Sequence, residues 1–410
     1  MVYVLDRSGR PLMPTKRHGK VRRMLDAGKA KVVRRTPFTI QLQYDSTSYT
    51  QDVTLGVDAG YAHVGACAST EKEVLFSGQL ELRTDIVDLL AERRQLRRAR
   101  RNRKTCYRKP RFDNRVHGKK KGWRAPSVVQ KVDSHIQLIR KVCRILPITK
   151  LRVETAEFDI HKIKNPEVSG TGYQHGEKYG HYNTRNYVLW RDGHRCRCCG
   201  KSGGYLYVVS ADGRDTEAPE DLYTVCKECL QAHLSGEKPF AFRKKRYFAP
   251  PTEMGIMRDL LLQKCRDTFP FPVEQTYGYV TKGIRKDLGI GKTHENDAYC
   301  IAGNLEAKPT EESFLLKKVR CHNRKLHKMS IGRGGIRKNH QAPYTVNGFR
   351  LFDKVRLRGG EYFIFGRRVR GSFSLRRLDG SKSVKDVSCK KLEFLEPRNS
   401  YLIERRMAGA

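Results

Sequence analysis

The sequence predicts a multidomain α/β protein, and three observations carry that prediction. Its 410 residues suffice for roughly two to four domains, each with its own core. Short apolar strands, two of them ending in an acid, alternate with helical periodicities through most of the chain, the pattern of a mixed sheet flanked by helices. Two CxxC pairs interrupt that alternation, and the final stretch changes to short strands separated by glycine turns.

Residues 1–50 read as a small β-containing unit: YVLD, then PLMP at 11–14, a short helix around 21–27, KVVRR and the alternating FTIQLQY. Residues 51–83 hold two or three strands. VTLGVD is apolar and ends in Asp58, Ala59 and Gly60 open a turn, and HVGACAS follows. Residues 84–125 begin as an amphipathic helix, with Ile86, Leu89, Leu90 and Leu96 on one side and Thr84 or Asp85 as its cap. After Leu96 arginine occupies every face, which suits a polyanion better than a core. Within 126–180 a core-packing helix (Val128, Val129, Val132, Ile136, Ile139, Val142) leads to the strand ITKLRVETA, which carries Glu154. The cysteine pairs lie in 181–245. Residues 246–307 read as a helix with Met254, Ile256, Met257, Leu260, Leu261 and Leu262, a strand near PVEQTYG, and GIGKTHENDAYCIAG. The basic, glycine-rich 308–345 is expected to run extended along a ligand surface, and 346–410 to form a small β-barrel-like domain.

Charge narrows the function. Lys and Arg number 83 against 43 Asp and Glu, a net charge of +40, and a surplus of that size repels itself unless a polyanion neutralises it. It is also uneven: residues 93–124 hold 16 Lys/Arg and a single acid, Asp113. That concentration points to nucleic acid. No apolar run approaches the ~18 residues of a membrane span, the mean hydropathy is −0.66, and Asp6 and Arg7 stand where a signal peptide has its apolar centre. An intracellular protein is expected. The 12 cysteines resemble a metal site plus reduced thiols rather than a secreted disulfide framework. Cys196-x-x-Cys199 and Cys226-x-x-Cys229 have the spacing of two zinc knuckles, and a tetrahedron of four cysteine sulfurs is closed and structural. Cys198 is read as a bystander.

The acids suggest hydrolysis without establishing it. Asp58 ends one apolar strand, Glu154 ends or interrupts another, and His294 and Asp297 share a helical face. Two-metal phosphodiester hydrolysis needs carboxylates that converge from distant parts of the chain. A strand-terminal Asp beside glycine is also a common turn residue, and an acid in a basic protein is a common ion-pair partner, so the residues alone leave both readings open.

LGVDAGYAHVG, RVETAEF and KTHENDAYC resemble the three split segments of a RuvC-type nuclease with an RNase H-like fold. The order also carries information: segment one, the arginine-rich RRQLRRARRNRK, YRKPRFDNR, segment two, a CxxC…CxxC insert, segment three. That arrangement is similar to the IscB family, transposon-encoded RNA-guided DNA nucleases related to the HNH–RuvC effectors of type II CRISPR systems. PLMP and FDIHKIKNPEVSGTGYQHGEKYGHYNTRNYVL resemble the family as well. The resemblance implies an RNase H-like mixed-sheet core split in three and a Mg²⁺-dependent endonuclease. Asp58, Glu154 and Asp297 would hold two magnesium ions, with His294 as ligand or proton-transfer group and Glu157 as the fallback for Glu154. It implies that Arg93, Arg94, Arg97, Arg98, Arg100, Arg101 and Arg103, followed by Arg108 and Arg111, grip a guide RNA–target duplex as a bridge helix. The C-terminal domain would read a target-adjacent motif on double-stranded DNA. The protein would be a monomer within a ribonucleoprotein with a long structured RNA, in a prokaryotic cytoplasm.

In that family the cysteine clasp holds a ββα-metal HNH nuclease, with an acid–His or His–His pair after the first knuckle and an Asn before the second. Here Val209 and Ser210 stand at the pair and Asp221 at the Asn. Valine neither binds a metal nor takes a proton, and an unperturbed serine hydroxyl is a poor base near neutral pH. The resemblance therefore implies a silent HNH unit and a nick in the displaced strand. The alternatives are a double-strand nuclease that recruits Asp212, Asp215 or His233, and a non-cleaving nucleic-acid-binding regulator.

Overall fold

The computed structural model describes residues 1–102, 123–155, 183–210, 221–240, 249–321, 329–331, 337–339 and 343–407. The chain forms two compact units, Met1–Glu157 with Glu253–Ala410, and Phe158–Thr252.

The larger unit is organised on a seven-stranded mixed sheet. Thr54–Ala59 (β5), His63–Ser69 (β6) and Val74–Glu81 (β7) make an antiparallel meander. Lys150–Glu154 (β8) pairs parallel with β5, and Val273–Thr276 (β11) pairs parallel with β8. Beyond β7 lie Glu312–Lys318 (β12), parallel to it, and Tyr401–Met407 (β20), antiparallel to β12.

The alternation of side chains along β5 explains how it faces two ways. Val53, Leu55 and Val57 are fully buried in the main core, with Leu151 and Val153 of β8. Helices Pro126–Cys143 (α3) and Ala249–Thr268 (α6) cover them. α3 contributes Val128, Val132, Ile136 and Ile139 at helical spacing, and α6 contributes Met254, Met257 and Leu261. Gly56 and Asp58 lie on the opposite face, under His294–Ala302 (α8). That helix approaches closely because the strands lack side chains beneath it: a Cβ at Gly56 would collide with the Ala298 carbonyl, and one at Gly65 with the His294 carbonyl.

Two smaller sheets complete this unit. Val2–Leu5 (β1), Pro11–Thr15 (β2), Ala30–Arg34 (β3) and Thr39–Leu42 (β4) pair in the order β2-β1-β4-β3, with His18–Asp26 (α1) buried through Val21. Toward the C-terminus, Lys354–Leu357 (β15), Gly360–Arg367 (β16), Ser372–Arg376 (β17), Ser383–Ser388 (β18) and Glu393–Glu396 (β19) form an antiparallel sheet, β18-β17-β16-β15-β19. Met329–Ile331 (β13) and Arg337–Asn339 (β14) form a short ladder.

Two details differ from the reading of the sequence. The segment expected to lie extended from 308 onward opens with β12, whose Phe314, Leu315 and Leu316 are buried. This short apolar run outweighs the flanking lysines. The last strand leaves the C-terminal sheet and pairs with β12, because Tyr401 and Leu402 are buried there. Among the described residues no helix is long and apolar enough to cross a membrane.

The smaller unit, within its described residues, is a helix, a hairpin and a second helix. Thr184–Arg191 (α4) is capped by Asn183, whose side chain accepts from the Asn186 amide at 2.8 Å. Leu206–Ser210 (β9) pairs antiparallel with Leu222–Cys226 (β10), and Lys227–Leu234 (α5) follows. Leu189, Cys196, Leu206, Val225 and Cys226 form its core.

Candidate active site

Strand register brings the first two candidate acids together. β5 and β8 are parallel with Asp58 opposite Glu154, and Thr276 of β11 lies opposite Glu154 on its other side. Asp58 and Glu154 therefore end neighbouring central strands on one face. The remaining pair comes from α8. Thr293 caps that helix by accepting from the Asn296 amide at 3.1 Å, which fixes His294 and Asp297 in its first turn. The His294 imidazole Nδ1 lies 2.6 Å from Asp58 Oδ2. Asp58, Glu154, His294 and Asp297 are thus gathered from strand ends and a helix start far apart in the sequence.

Each of the other two acids has its own partner. Thr281, on Gly278–Asp287 (α7), donates from its hydroxyl to Glu154. Arg285 Nε on the same helix lies 2.9 Å from Asp297 Oδ1, an ion pair without the alignment of a hydrogen bond. Burial pushes the Glu154 carboxyl above the usual carboxylate range, and Asp58 and Asp297 add to this; Thr281 opposes them. Burial likewise raises Asp297, reinforced by Asp58 and countered by Arg285. The hydrogen bond to Asp58 raises His294 above an ordinary imidazole. The cluster is a partly buried set of hard oxygen donors whose charges repel one another, the donor chemistry a magnesium ion takes.

Four supports had no signal in the sequence. Thr281 and Arg285 are an ordinary polar residue and one of many cations until register places them beside acids. His63 stacks on His294 with ring centroids 5.4 Å apart and is held through Nδ1 by Gln79 Nε2 at 3.0 Å. Burial, and then His294, lower its basicity. His135 of α3 is completely buried, with Nδ1 2.8 Å from the Lys131 carbonyl, and Asp58 and the Gly60 backbone act on it. It sits under the turn that follows Asp58. Glu157 lies outside the described residues.

The cysteines are gathered more tightly. Among the described residues, the one group of three or more His, Cys, Asp or Glu ligand atoms all within 4.8 Å of each other is Cys196, Cys199, Cys226 and Cys229. Cys199 Sγ and Cys226 Sγ are 3.7 Å apart, close to the ~3.8 Å edge of a tetrahedron with ~2.3 Å Zn–S bonds. Burial opposes a thiolate at Cys196, but hydrogen bonds from the backbone at Cys199, Cys226 and Cys198 bring it down to about 6. The four sulfurs fit zinc, and Cys198 stays outside the set.

The hairpin carries the three substituted positions. Val209 pairs with Tyr223, and Ser210 with Leu222, one residue after Asp221, so Ser210 and Asp221 occupy the same end of the hairpin. His233 is engaged elsewhere: its ring stacks on Phe240 at 3.8 Å and its Nδ1 accepts from the Phe240 amide at 3.3 Å. Asp212 and Asp215 lie outside the described residues. Of the arginines, Arg93 and Arg94 are exposed on Ile86–Asn102 (α2). Arg97, Arg98, Arg100 and Arg101 belong to the same helix, their side chains outside the description, and Arg103, Arg108 and Arg111 lie outside the described residues.

Comparison with known proteins gives one family match. Residues 2–176 match the model of a family described as RRXRR protein. No curated protein matches the chain. Among solved structures, Streptococcus thermophilus Cas9 in complex with the AGGA PAM is similar at 15% identity and a TM-score of 0.28, over 43% of this chain and 26% of that one. The same protein with the GGAA PAM is similar at 14% identity and a TM-score of 0.32, over 51% and 30%. The chain spans less than a third of the Cas9 chains it matches.

Proposed function

We propose that the chain is an RNA-guided DNA endonuclease that cuts one strand, the displaced non-target strand, at the cluster of Asp58, Glu154, His294 and Asp297. The observation that carries this reading is the register pairing of Asp58 with Glu154 beneath the first turn of α8. A turn residue and an ion-pair partner have no reason to meet; acids that serve one phosphate do. The meander β7-β6-β5 followed by parallel β8 and β11 supports an RNase H-like core. The charge of +40 and the resemblance of the split segments support a guide RNA and a DNA target.

In this reading Asp58, Glu154 and Asp297 would hold Mg²⁺, which supplies positive charge for the attacking and leaving oxygens of the phosphodiester. Thr281 fixes the orientation of Glu154, and Arg285 keeps Asp297 turned toward the site and partly neutralised. Asp58 holds His294 at Nδ1 and keeps it protonated closer to neutral pH, which leaves Nε2 to give or take a proton. The four cysteines would hold structural zinc, while Val209 and Ser210 supply neither the metal ligand nor the base of an HNH site and Asp221 would at most hold a cation. Arg93 and Arg94, with the arginines that follow, would neutralise phosphates of the guide–target duplex.

The protein purified with its RNA, incubated with Mg²⁺ and a supercoiled plasmid carrying the matching target, is expected to give nicked circles. Asp58→Ala is expected to slow nicking roughly 10³-fold, the scale of several kcal/mol of lost charge stabilisation. Linear product that depends on a residue of 206–233, or undiminished nicking by Asp58→Ala, overturns the reading.

A further inference from the structure

The residues that hold Glu154 also expose two aromatic rings beside it. Tyr277 follows Thr276, the register partner of Glu154, and the next residue, Gly278, touches that acid: a Cβ there would lie 3.1 Å from Glu154 Oε1. The rings of Tyr277 and Tyr279 are nearly parallel, 11° apart with centroids separated by 6.0 Å. Tyr279 is 76% exposed and Tyr277 38%. A single exposed tyrosine needs no explanation, whereas two organised in parallel beside the clustered acids offer a large apolar face to water. The surrounding charge is positive. Lys282 and Lys286 of α7 are exposed, and so is Lys292, which pulls on both Glu154 and Asp297.

Aromatic faces interleaved with cations are the chemistry that holds single-stranded nucleic acid: bases stack on the rings and phosphates meet the lysines, with no need for a particular sequence. Continuity with the carboxylates decides which nucleotide is held. Tyr277 and Thr281 bracket the segment that touches Glu154, so a base on this platform belongs to the strand whose phosphate reaches the acids. We propose that Tyr277 and Tyr279 form a stacking platform for an unpaired base of single-stranded DNA next to the scissile phosphate, Tyr279 presenting the open face and Tyr277 backing it. This rests on the reading of the acid cluster as the cutting site and adds to it a positioning element and a substrate state. A base can reach Tyr279 only when it is out of the duplex, which favours a displaced strand over paired DNA.

The test uses the full-length protein with its co-purified RNA. In plasmid nicking, Tyr279→Ala is expected to raise KM roughly tenfold, within the range for losing one base–aromatic stack, and to change kcat little. Tyr279→Trp is expected to restore KM, which a merely structural role does not predict. In the non-cutting Asp58→Ala background, a single-stranded DNA oligonucleotide with one central 2-aminopurine is expected to lose fluorescence on binding. Adding Tyr279→Ala is expected to remove most of that quenching. Unchanged KM and unchanged quenching with Tyr279→Ala overturn the platform even where nicking still depends on Asp58. If nicking is independent of Asp58 while the quenching still requires Tyr279, the cutting site is misassigned and the platform stands as a DNA-binding element.

Discussion

The acid cluster of the larger unit and the cysteine cluster of the smaller one solve opposite problems. The cysteines have the geometry of a closed metal site, four sulfurs within 4.8 Å of one another, beside described hairpin positions, Val209 and Ser210, that carry neither imidazole nor carboxylate. The acids have reactive groups in one place, but each is occupied by a protein partner: His294 on Asp58, Thr281 on Glu154 and Arg285 on Asp297. The balance of charge differs in the same sense. Around the hairpin, Asp192 is almost fully buried and satisfied by Arg191 and the Thr224 amide. Among the described residues, the larger unit keeps charge less settled, in the crowded acids and in a group of cations, Arg34, Arg144 and Lys318 around Lys141, that repel one another. Settled charge suits a structural element, and unsettled charge suits one that awaits ions and phosphates.

The largest expected effect tests the closed site. Structural zinc contributes on the order of 10 kcal/mol to domains of this kind. Cys226→Ser is expected to lower bound zinc from stoichiometric to background by metal analysis, and to open the segment Phe158–Thr252 to protease. Retained zinc, or unchanged resistance to protease, would break the comparison on its structural side.

A smaller effect tests how finely the acids are placed. α8 lies against β6 at Gly65, where a Cβ has no room. Gly65→Ala is expected to lift the helix start, cost about 1–3 kcal/mol of stability and reduce nicking about 10²-fold through misplacement of His294 and Asp297. Thermal unfolding and nicking rates read the two separately. Normal nicking by a destabilised variant would mean that the site does not depend on this close approach.

The cation cluster gives a pH dependence. Burial, then Arg34, Arg144 and Lys318, bring Lys141 down to about 8. Between about 8 and the unfolded value near 10.5 the unfolded chain binds more protons than the folded one, so stability rises with pH across that window. Below it the folded protein carries the unfavourable charge. Lys141→Met is expected to raise the unfolding midpoint at pH 7 by roughly 2 °C and to flatten its rise above pH 8. A polyanion bound at the cluster is expected to flatten it in the unmodified protein.

The contrast also marks what a sequence can disclose. The cysteine site was legible because its ligands come in two short, regular pairs, and Asp58 and Glu154 because each closes an apolar run. Ile86, Leu89 and Leu90 marked the arginine helix for the same reason of period. Thr281, Arg285 and His63 were not legible: which of many polar residues meets an acid depends on register and on how closely α8 approaches the sheet, neither of which leaves a local pattern. β12 leaves little trace because its three buried apolar residues sit between Glu311–Ser313 and Lys317–Lys318, and a composition dominated by charge hides so short a run.

The smallest expected effect is the sharpest test of the difference between the two regions. Asp221 is the one substituted hairpin position whose carboxylate still suits a cation, and it stands at the same end of the hairpin as Ser210. If that hairpin only binds or positions, Asp221→Ala leaves both the rate and the product of cutting unchanged to within about twofold, as for a group outside the reacting centre. A conventional HNH site would instead lose cleavage of one strand entirely. Strand-specific end labels separate these outcomes, since each label follows one strand. Loss of a target-strand cut in Asp221→Ala would show that the hairpin still cleaves with a base drawn from elsewhere. Equal non-target cutting by both proteins, with the target strand intact in each, leaves the acids of the larger unit as the site that cuts.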